Sequence, residues 1–216
     1  MNTRSLRSVV AVLLLAALVV GCSDKRVTPM QRPEGRLAVA GFTSPRFNYE
    51  LLAGYLPDEG RSVDRDVLRK LDASLLDQLT ADGVTDFAPA FDTRQCQEIV
   101  TFEQANGRKK SALAYWVEVG RCMKADYILV PQVTGWHERK GDEWTVESPA
   151  SVTMDLYFIS LGNEPQLVRK HFDETQRSLS EDLGNIKTFF GRGAKWLTAQ
   201  ELARAGMQNM LYEMGL

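Results

Sequence analysis

The sequence predicts a single α/β domain, with a mixed sheet of about five strands that includes a C-terminal β-meander and is flanked by helices. Three observations predict this class. In the first half, short apolar runs alternate with segments in which apolar residues have helical spacing. Strand-like runs separated by turn signals follow. Capping-box sequences precede the last helices. The chain has 216 residues, of which 44% are hydrophobic and 25% charged, so a largely disordered protein is excluded.

The first half of the folded chain alternates strands and helices. Its clearest helix carries apolar residues three and four apart from Val67 to Leu79, and Gly83 marks its end. A strand ending in Gly41 precedes this helix, and Pro89 marks the edge or the end of the strand after it. The predicted elements are a strand at 36–42, a long loop at 43–61, a helix at 62–82, a strand at 84–91, a polar segment at 92–110 and a helix at 111–124.

The second half is a meander followed by helices. Residues 127–130 are apolar on both faces, as in the centre of a sheet that is covered on both sides, and Pro131 and Gly135 predict bulges farther along. Alternating apolar residues over 152–158 predict a half-buried strand, and Gly162-Asn163 predicts a hairpin turn. The predicted elements are strands at 126–139, 146–161 and 166–175, and helices at 181–190 and 199–214.

The start of the chain has the pattern of an export signal. Arg4 and Arg7 precede an apolar run over 9–20, which is shorter than the roughly 20 residues that span a bilayer. Residues 18–22, LVVGC, resemble the lipobox of bacterial lipoproteins. The resemblance implies cleavage before Cys22, diacylglycerol on its thiol and a fatty acid such as palmitate on its amine. The alternative is an ordinary signal peptide that ends beside an unrelated cysteine.

Processing at this position divides the chain into three parts: a lipoprotein signal peptide at 1–21, a lipidated flexible tether at 22–35 and a periplasmic α/β domain at 36–216. Removing 21 residues, Arg4 and Arg7 among them, leaves 195 residues with 24 basic and 28 acidic side chains, a formal charge of −4. Ser23 follows the cysteine in place of aspartate, which by resemblance to enterobacterial sorting rules implies the outer membrane. Nucleic acid is not an expected partner, because the chain has no basic surplus.

Cys96 and Cys122 are the cysteines left in the folded part. An exported protein meets an oxidising compartment, where a disulfide would close a loop of 25 intervening residues and contribute roughly 3 kcal/mol. Two unpaired thiols are the alternative, because a sequence does not give the distance between the Cα atoms. A metal site is not predicted, since neither cysteine has a nearby cysteine or histidine.

The folded part resembles a superfamily of periplasmic domains. The sequence VAGF at 39–42 follows the lipobox and tether, and a helix later runs into KADYILV at 124–130. This order is similar to that in the curli-secretion lipoprotein, the lipoprotein activators of penicillin-binding proteins and the amino-terminal domain of the Tol-system propeller protein. Pro131 and the long segments 43–61 and 92–110 depart from the pattern. The resemblance implies a non-catalytic part of an envelope machine that binds a protein or forms a homo-oligomer.

These observations favour a membrane-anchored, non-catalytic binding or assembly protein of the cell envelope, without a cofactor. The first alternative is an envelope hydrolase, with His137 beside Glu138 or His171 beside Asp173 as a general base, or a lipoprotein that binds a small anionic ligand. The sequence has no Gly-x-Ser-x-Gly elbow, His-Glu-x-x-His motif or Walker loop. A subunit of an oligomeric secretion channel is the second alternative. It requires strands of about ten alternating residues, and Pro131 and Gly135 interrupt 126–139.

Two short segments are candidate contact sites. The first is an unusually polar strand end, where a specific partner contact is expected at Phe172, Asp173, Glu174, Gln176 and Arg177. The second is a glycine-rich basic turn, where backbone amides before a helix could hold an anion at Gly191, Arg192, Gly193 and Lys195. The same turn is also expected of an ordinary connecting loop, because it lacks the spacing of a nucleotide-binding fingerprint.

Overall fold

The computed structural model describes residues 28–32, 34–56, 63–105, 110–177 and 195–216. Within these ranges it shows a mixed five-stranded sheet and a separate two-stranded sheet, with helices on both faces of the larger one. The elements are β1 (Leu37–Val39), α1 (Arg65–Ala81), β2 (Phe87–Ala88), α2 (Ala90–Ala105), α3 (Ala112–Cys122), β3 (Tyr127–His137), β4 (Lys140–Gly141), β5 (Val146–Ser148), β6 (Ser151–Ser160), β7 (Gln166–Thr175) and α4 (Ala199–Met214). The predicted α/β class is confirmed.

The strand order β2-β1-β3-β6-β7 joins a parallel half to an antiparallel half. β1 lies between β2 and β3 and runs parallel to both, because helices provide the crossovers on each side. β3, β6 and β7 form the predicted meander, and β7 is the last of the described strands on that side. The predicted bulge at Gly135 is present, since the register with β6 shifts between Val133 and Gly135, whereas Pro131 stays in register opposite Leu156.

The sheet separates two hydrophobic cores. α1 and α4 cover one face, where Leu75 and Leu202 pack with the β6 side chains of Val152, Met154, Leu156 and Phe158. α2 and α3 cover the other face, where Val100 and Trp116 pack with Ile128 and Val130 of β3. β3 is therefore apolar on both sides over its first residues, as the sequence predicts. Each fully buried leucine in these cores contributes roughly 1.5–3 kcal/mol through removal of apolar surface from water.

Local capping fixes where the helices begin. The Asp64 carboxylate accepts a hydrogen bond from the amide of Asp66 at 2.7 Å and starts α1. Thr198 and Glu201 form the predicted capping box of α4, with the Glu201 amide donating to the Thr198 hydroxyl at 3.1 Å. These bonds satisfy amides that have no partner within a helix, so the short polar motifs define both starts.

The segment 84–110 differs from its prediction. Only Phe87–Ala88 forms a strand, and the predicted polar segment at 92–110 contains most of α2. The amides of Asp92 and Thr93 donate to the Pro89 carbonyl, so the helix begins where the sequence placed the end of a strand. The buried residues of α2 include Thr93, Cys96 and Val100, a face too polar to show a helical apolar stripe in the sequence.

The strand predicted at 146–161 is two strands. β5 pairs with β4 in the small sheet, and β6 begins three residues later and pairs with β3. Pro149 lies between them and carries no N–H donor, so a ladder cannot run through it unbroken. The strand predicted at 166–175 has the predicted bounds. The helix predicted at 181–190 lies outside the described residues.

The first described residues are attached to the domain rather than free of it. The Met30 amide donates to the Glu213 carbonyl at 3.1 Å, and the Arg32 guanidinium donates to the carbonyls of Asp82 and Gly215 at 3.2 Å each. These bonds join the chain to the ends of α1 and α4, so Met30 and Arg32 belong to the folded part. Among the described helices, none combines the length and apolarity needed to cross a bilayer.

Candidate functional site

A groove opens between the segment that leaves β1 and the helices α2 and α3. Two adjoining cavities of about 430 and 580 Å³ form it, and they share Thr43, Gln97, Thr101 and Tyr115. Its inner wall carries amide and hydroxyl groups. The Tyr115 hydroxyl donates to the Gln97 carbonyl at 3.4 Å and lies 3.3 Å from the Thr101 hydroxyl. We call this feature the α2–α3 groove.

Two buried side chains of the sheet form hydrogen bonds to the loop that forms one wall of the α2–α3 groove. The Gln132 amide nitrogen donates to the Glu50 carbonyl at 3.0 Å, and the Tyr157 hydroxyl donates to the Ala53 carbonyl at 3.0 Å. Burial, together with the nearby charge of Asp155, raises the pKa of Tyr157 to about 12, so this donor stays protonated in the neutral range. The loop backbone is thus packed on the sheet, which leaves its aromatic side chains facing outward.

Aromatic side chains line the rim of the α2–α3 groove. Tyr49 stacks on Phe47 with ring centroids 5.3 Å apart, and both side chains are about half exposed. Phe102 lines the second cavity from α2 and is 73% exposed. Tyr55, at the far end of the same loop, is 91% exposed. Aromatic side chains so placed are enriched at protein interfaces, because they bury a large area at little cost in conformational entropy.

Charges of both signs surround these rings. The Phe42 amide donates to the Asp72 carboxylate at 2.5 Å, and Asp72 and Arg94 both line the second cavity. Burial raises the pKa of Asp72, opposed by the Phe42 hydrogen bond and by the Arg94 charge. Lys110 forms an ion pair with Glu118 beside the first cavity. The groove therefore offers aromatic, amide and mixed ionic contacts, the composition of a protein-binding surface more than of a phosphate site.

A disulfide connects the two helices that frame the groove. Cys96 of α2 is bonded to Cys122, the last residue of α3, with their Cα atoms 5.8 Å apart. Of the two alternatives that the sequence left open, the structure has the paired one. Since few of the described side chains of α2 are both apolar and buried, this bond is a main attachment of the helix to the domain.

A second polar cluster lies on the same side of the sheet, over β6 and β7. The Asp155 carboxylate is almost fully buried and accepts from Arg169 Nε at 2.8 Å and Nη2 at 3.2 Å, and His171 Nδ1 lies 2.8 Å from it. Hydrogen bonding to Asp155 raises the pKa of Arg169. The cluster ties two strands together, and the Tyr157 hydroxyl beside it donates to the Ala53 carbonyl.

The acid–base pairs expected for a hydrolase are not assembled in the described chain. His171 contacts Asp155, whereas Asp173 accepts from the Thr153 hydroxyl at 2.9 Å. His137 lies 2.8 Å from the Ser148 hydroxyl, and Glu138 instead accepts from the Ala199 amide at 2.9 Å. No carboxylate among the described residues bonds to the other ring nitrogen of His137, so this Ser–His contact lacks the third group of a catalytic triad.

The predicted partner contact at the end of β7 has two kinds of residue. Phe172 is half-buried against Gly206 of α4, while Asp173 and Arg177 are exposed. Gln176 is buried, donates to the Lys195 carbonyl at 3.0 Å and accepts from the Leu197 amide at 2.8 Å. Its amide thus fixes the start of the last segment, and Phe172, Asp173, Glu174 and Arg177 remain as candidate surface residues.

The other predicted contacts fall largely outside the described residues. Gly191, Arg192 and Gly193 of the predicted anion site lie there, as do Cys22 and the signal peptide. Lys195 is described, and its ammonium lies 3.5 Å from the Glu143 carboxylate. No group of three or more His, Cys, Asp or Glu side chains within the described ranges is arranged to hold a metal ion.

No protein-family model and no curated protein matches the sequence. Solved structures resemble the fold. A PelC dodecamer from Paraburkholderia phytofirmans has 14% identity and a TM-score of 0.43, over 83% of this chain and 86% of that one. Lipoprotein GNA1162 from Neisseria meningitidis has 14% identity and a TM-score of 0.37, over 74% and 98%. The LpoB C-terminal domain from Salmonella enterica has 10% identity and a TM-score of 0.33, over 74% and 93%. These likenesses concern overall shape only.

The amino-acid sequence alone did not predict the α2–α3 groove. The aromatic residues of loop 43–61 are its one visible signal in the sequence, since such a segment can either pack on the domain or present a surface to a partner. The loop does both. Its backbone carbonyls accept hydrogen bonds from Gln132 and Tyr157, while the side chains of Phe47, Tyr49 and Tyr55 stay exposed. Arg94 and Phe102 gave no signal, since they lie on a helix that the sequence did not predict.

Proposed function

We propose that this protein is a lipid-anchored, periplasm-facing component of the cell envelope that acts by binding a partner protein rather than by catalysis. The observation that carries the anchor is the sequence LVVGC at 18–22 behind a positive and then apolar segment. Two or more acyl chains on Cys22 would hold the chain on a membrane stably, so the domain itself needs no apolar membrane-binding face. Ser23 supports the outer membrane as the destination.

The α2–α3 groove is the proposed partner-binding surface. Its rim supplies exposed aromatic anchors in Tyr49 and Phe102, and its wall supplies the amide of Gln97 and the hydroxyl of Thr101. A protein segment with one or two large apolar side chains and polar flanks fits this combination, because the rings would be buried while backbone groups meet the amides. An envelope protein is the partner class that the proposed location supplies.

Replacing Cys22 with serine should abolish lipidation. We expect the wild-type chain, expressed in its bacterial host, to incorporate labelled palmitate and to lose residues 1–21, whereas Cys22→Ser stays unlabelled and uncleaved. The matched control is Cys122→Ser, which removes a different cysteine and should still be labelled. Palmitate labelling of Cys22→Ser, or an unlabelled wild type, would contradict the anchor. Density fractionation of the wild-type membranes then reports inner or outer location.

A photo-reactive phenylalanine analogue at Tyr49 or Phe102 should capture the partner in living cells. Both positions lie on the groove rim, so illumination should yield the same adduct from each, identified by mass spectrometry. Tyr212 is the matched control, because it is an aromatic residue of similar exposure on α4, which packs on the opposite face of the sheet. The groove is not the binding surface if positions 49 and 102 give no adduct, or if position 212 gives the same one.

A further inference from the structure

β7 leaves one side unpaired within the described chain. All ten of its residues, Gln166–Thr175, pair with β6 in an unbroken antiparallel register. No described strand pairs with its other side, where the sheet order ends. Such an edge presents backbone N–H and C=O groups in the geometry that a further strand requires. It is also long, since strands in globular proteins are commonly five or six residues.

The charges along β7 are self-complementary. Three basic residues, Arg169, Lys170 and His171, precede Phe172, and the acidic Asp173 and Glu174 follow it. When two copies of such a strand run antiparallel about Phe172, the basic side of each copy faces the acidic side of the other. A natural edge that avoids association would instead carry charges of one sign, because like charges placed opposite each other repel.

Symmetry restricts the register. A two-fold axis perpendicular to a sheet places one residue opposite its own copy and keeps the faces matched. With Phe172 on the axis, Lys170 faces the partner's Glu174 on the face that carries α4, and His171 faces the partner's Asp173 on the other face. Each contact occurs twice, so two Lys170–Glu174 ion pairs and two His171–Asp173 contacts flank the axis. In this register Arg169 lies opposite Thr175 of the second copy and adds no ion pair to the interface, and its guanidinium bonds Asp155 within its own chain.

Lys170, His171 and Asp173 are placed to reach a second chain from their present positions. Lys170 Nζ lies 2.8 Å from a Glu213 carboxylate oxygen, and an ammonium has three N–H donors, so it can hold a second carboxylate. Asp173 is exposed and accepts from the Thr153 hydroxyl through one of its two oxygens. His171 is likewise exposed at the surface of the strand. The ring of Phe172 stays packed against α4, which fixes the strand backbone beneath the charges.

We propose that β7 pairs antiparallel with β7 of a second copy of this chain, about a two-fold axis at Phe172, to form one continuous ten-stranded sheet from two five-stranded ones. The pairing combines main-chain hydrogen bonds along the edges with the Lys170–Glu174 and His171–Asp173 contacts between copies. This interface is separate from the α2–α3 groove, and both can be occupied at once. It does not depend on the proposed function.

Charge exchange tests the interface. The full chain, extracted from membranes in detergent, should sediment as a dimer, whereas Lys170→Glu and Glu174→Lys should each be monomeric at the same concentration, because like charges then face each other. Combining the two substitutions restores opposite charges and should restore the dimer. Far-UV circular dichroism checks that each variant is folded. A monomeric wild type, or a double variant that stays monomeric, would overturn the proposal.

Cysteine pairs test the register without relying on charge. Cells expressing a His171→Cys chain together with a differently tagged Asp173→Cys chain should form a disulfide between the two tags, since these positions face each other. Each chain alone should give no cross-linked dimer, because position 171 does not face its own copy. Cross-linking of the His171→Cys chain by itself, or none from the pair, contradicts the Phe172-centred arrangement. Either failure leaves the capture test at Tyr49 and Phe102 unaffected.

Discussion

A chain in which Cys96 and Cys122 are both replaced by alanine should be about 3 kcal/mol less stable than the wild type. The bond closes a long loop, so its loss returns conformational freedom mainly to the unfolded chain. Because α2 has few apolar anchors, we also expect the loss to loosen this helix first. Thermal unfolding of the purified protein should show a midpoint lower by roughly 6–12 °C for a domain of this size.

Reduction of the wild type provides the control for this comparison. Excess dithiothreitol should lower the wild-type midpoint toward that of the double alanine variant and leave the variant unchanged, because only the wild type has the bond. If the double alanine variant unfolded at the same midpoint as the oxidised wild type, the helices would be held by packing alone. The same variant should give weaker photo-capture at Phe102 than at Tyr49, since Phe102 lies on the helix that loses its attachment.

Replacing Asp155 with alanine should lower the free energy of unfolding by about 2–3 kcal/mol. The carboxylate is almost fully buried and accepts from Arg169 and His171, so its removal leaves the guanidinium without its partner at a partly covered position. The value lies below that of a fully buried ion pair, because Arg169 and His171 reach solvent and water can replace part of the lost contact. Urea unfolding of the purified protein measures the change.

Asp77→Ala is the matched control for Asp155. Asp77 is an exposed aspartate on α1, and its removal changes the net charge by the same amount while leaving stability within about 0.5 kcal/mol. Asp155→Asn should fall between the two, since an amide keeps an acceptor oxygen without the charge. Equal stability of the Asp155→Ala and Asp77→Ala chains would show that the cluster contributes nothing to holding β6 and β7 together.

The strongest local patterns in the sequence correctly predicted most of the sheet. β7 has its predicted bounds, and α4 begins at its capping box, because both signals involve neighbours within a few residues. The alternation at 152–158 correctly predicted one face of β6 for the same reason. In such patterns the spacing of the apolar residues along the chain shows which side of a helix or strand meets the core.

α2 shows where the sequence was insufficient. Among its described side chains the buried ones are a threonine, a cysteine that is disulfide-bonded and a valine, and the first two are held by partners far along the chain. The Thr93 hydroxyl donates to the Val39 carbonyl, 54 residues away, a contact with no local signature. The candidate site was not predicted for the same reason. Arg94 and Phe102 lie in the same cavity as Tyr115 only because residues 90–105 form a helix.

The sequence by itself determined the α/β class and the charge pattern of β7. It alone carries the export-signal pattern and the lipobox cysteine. Each of these features depends on residues that are close together in the sequence. The tertiary structure alone decided the pairing of Cys96 with Cys122, the α2–α3 groove and the buried Asp155 cluster. It also placed β7 last among the described strands of the sheet, the position on which the proposed pairing depends. These features join residues distant in sequence, and only the packed chain brings them within bonding distance.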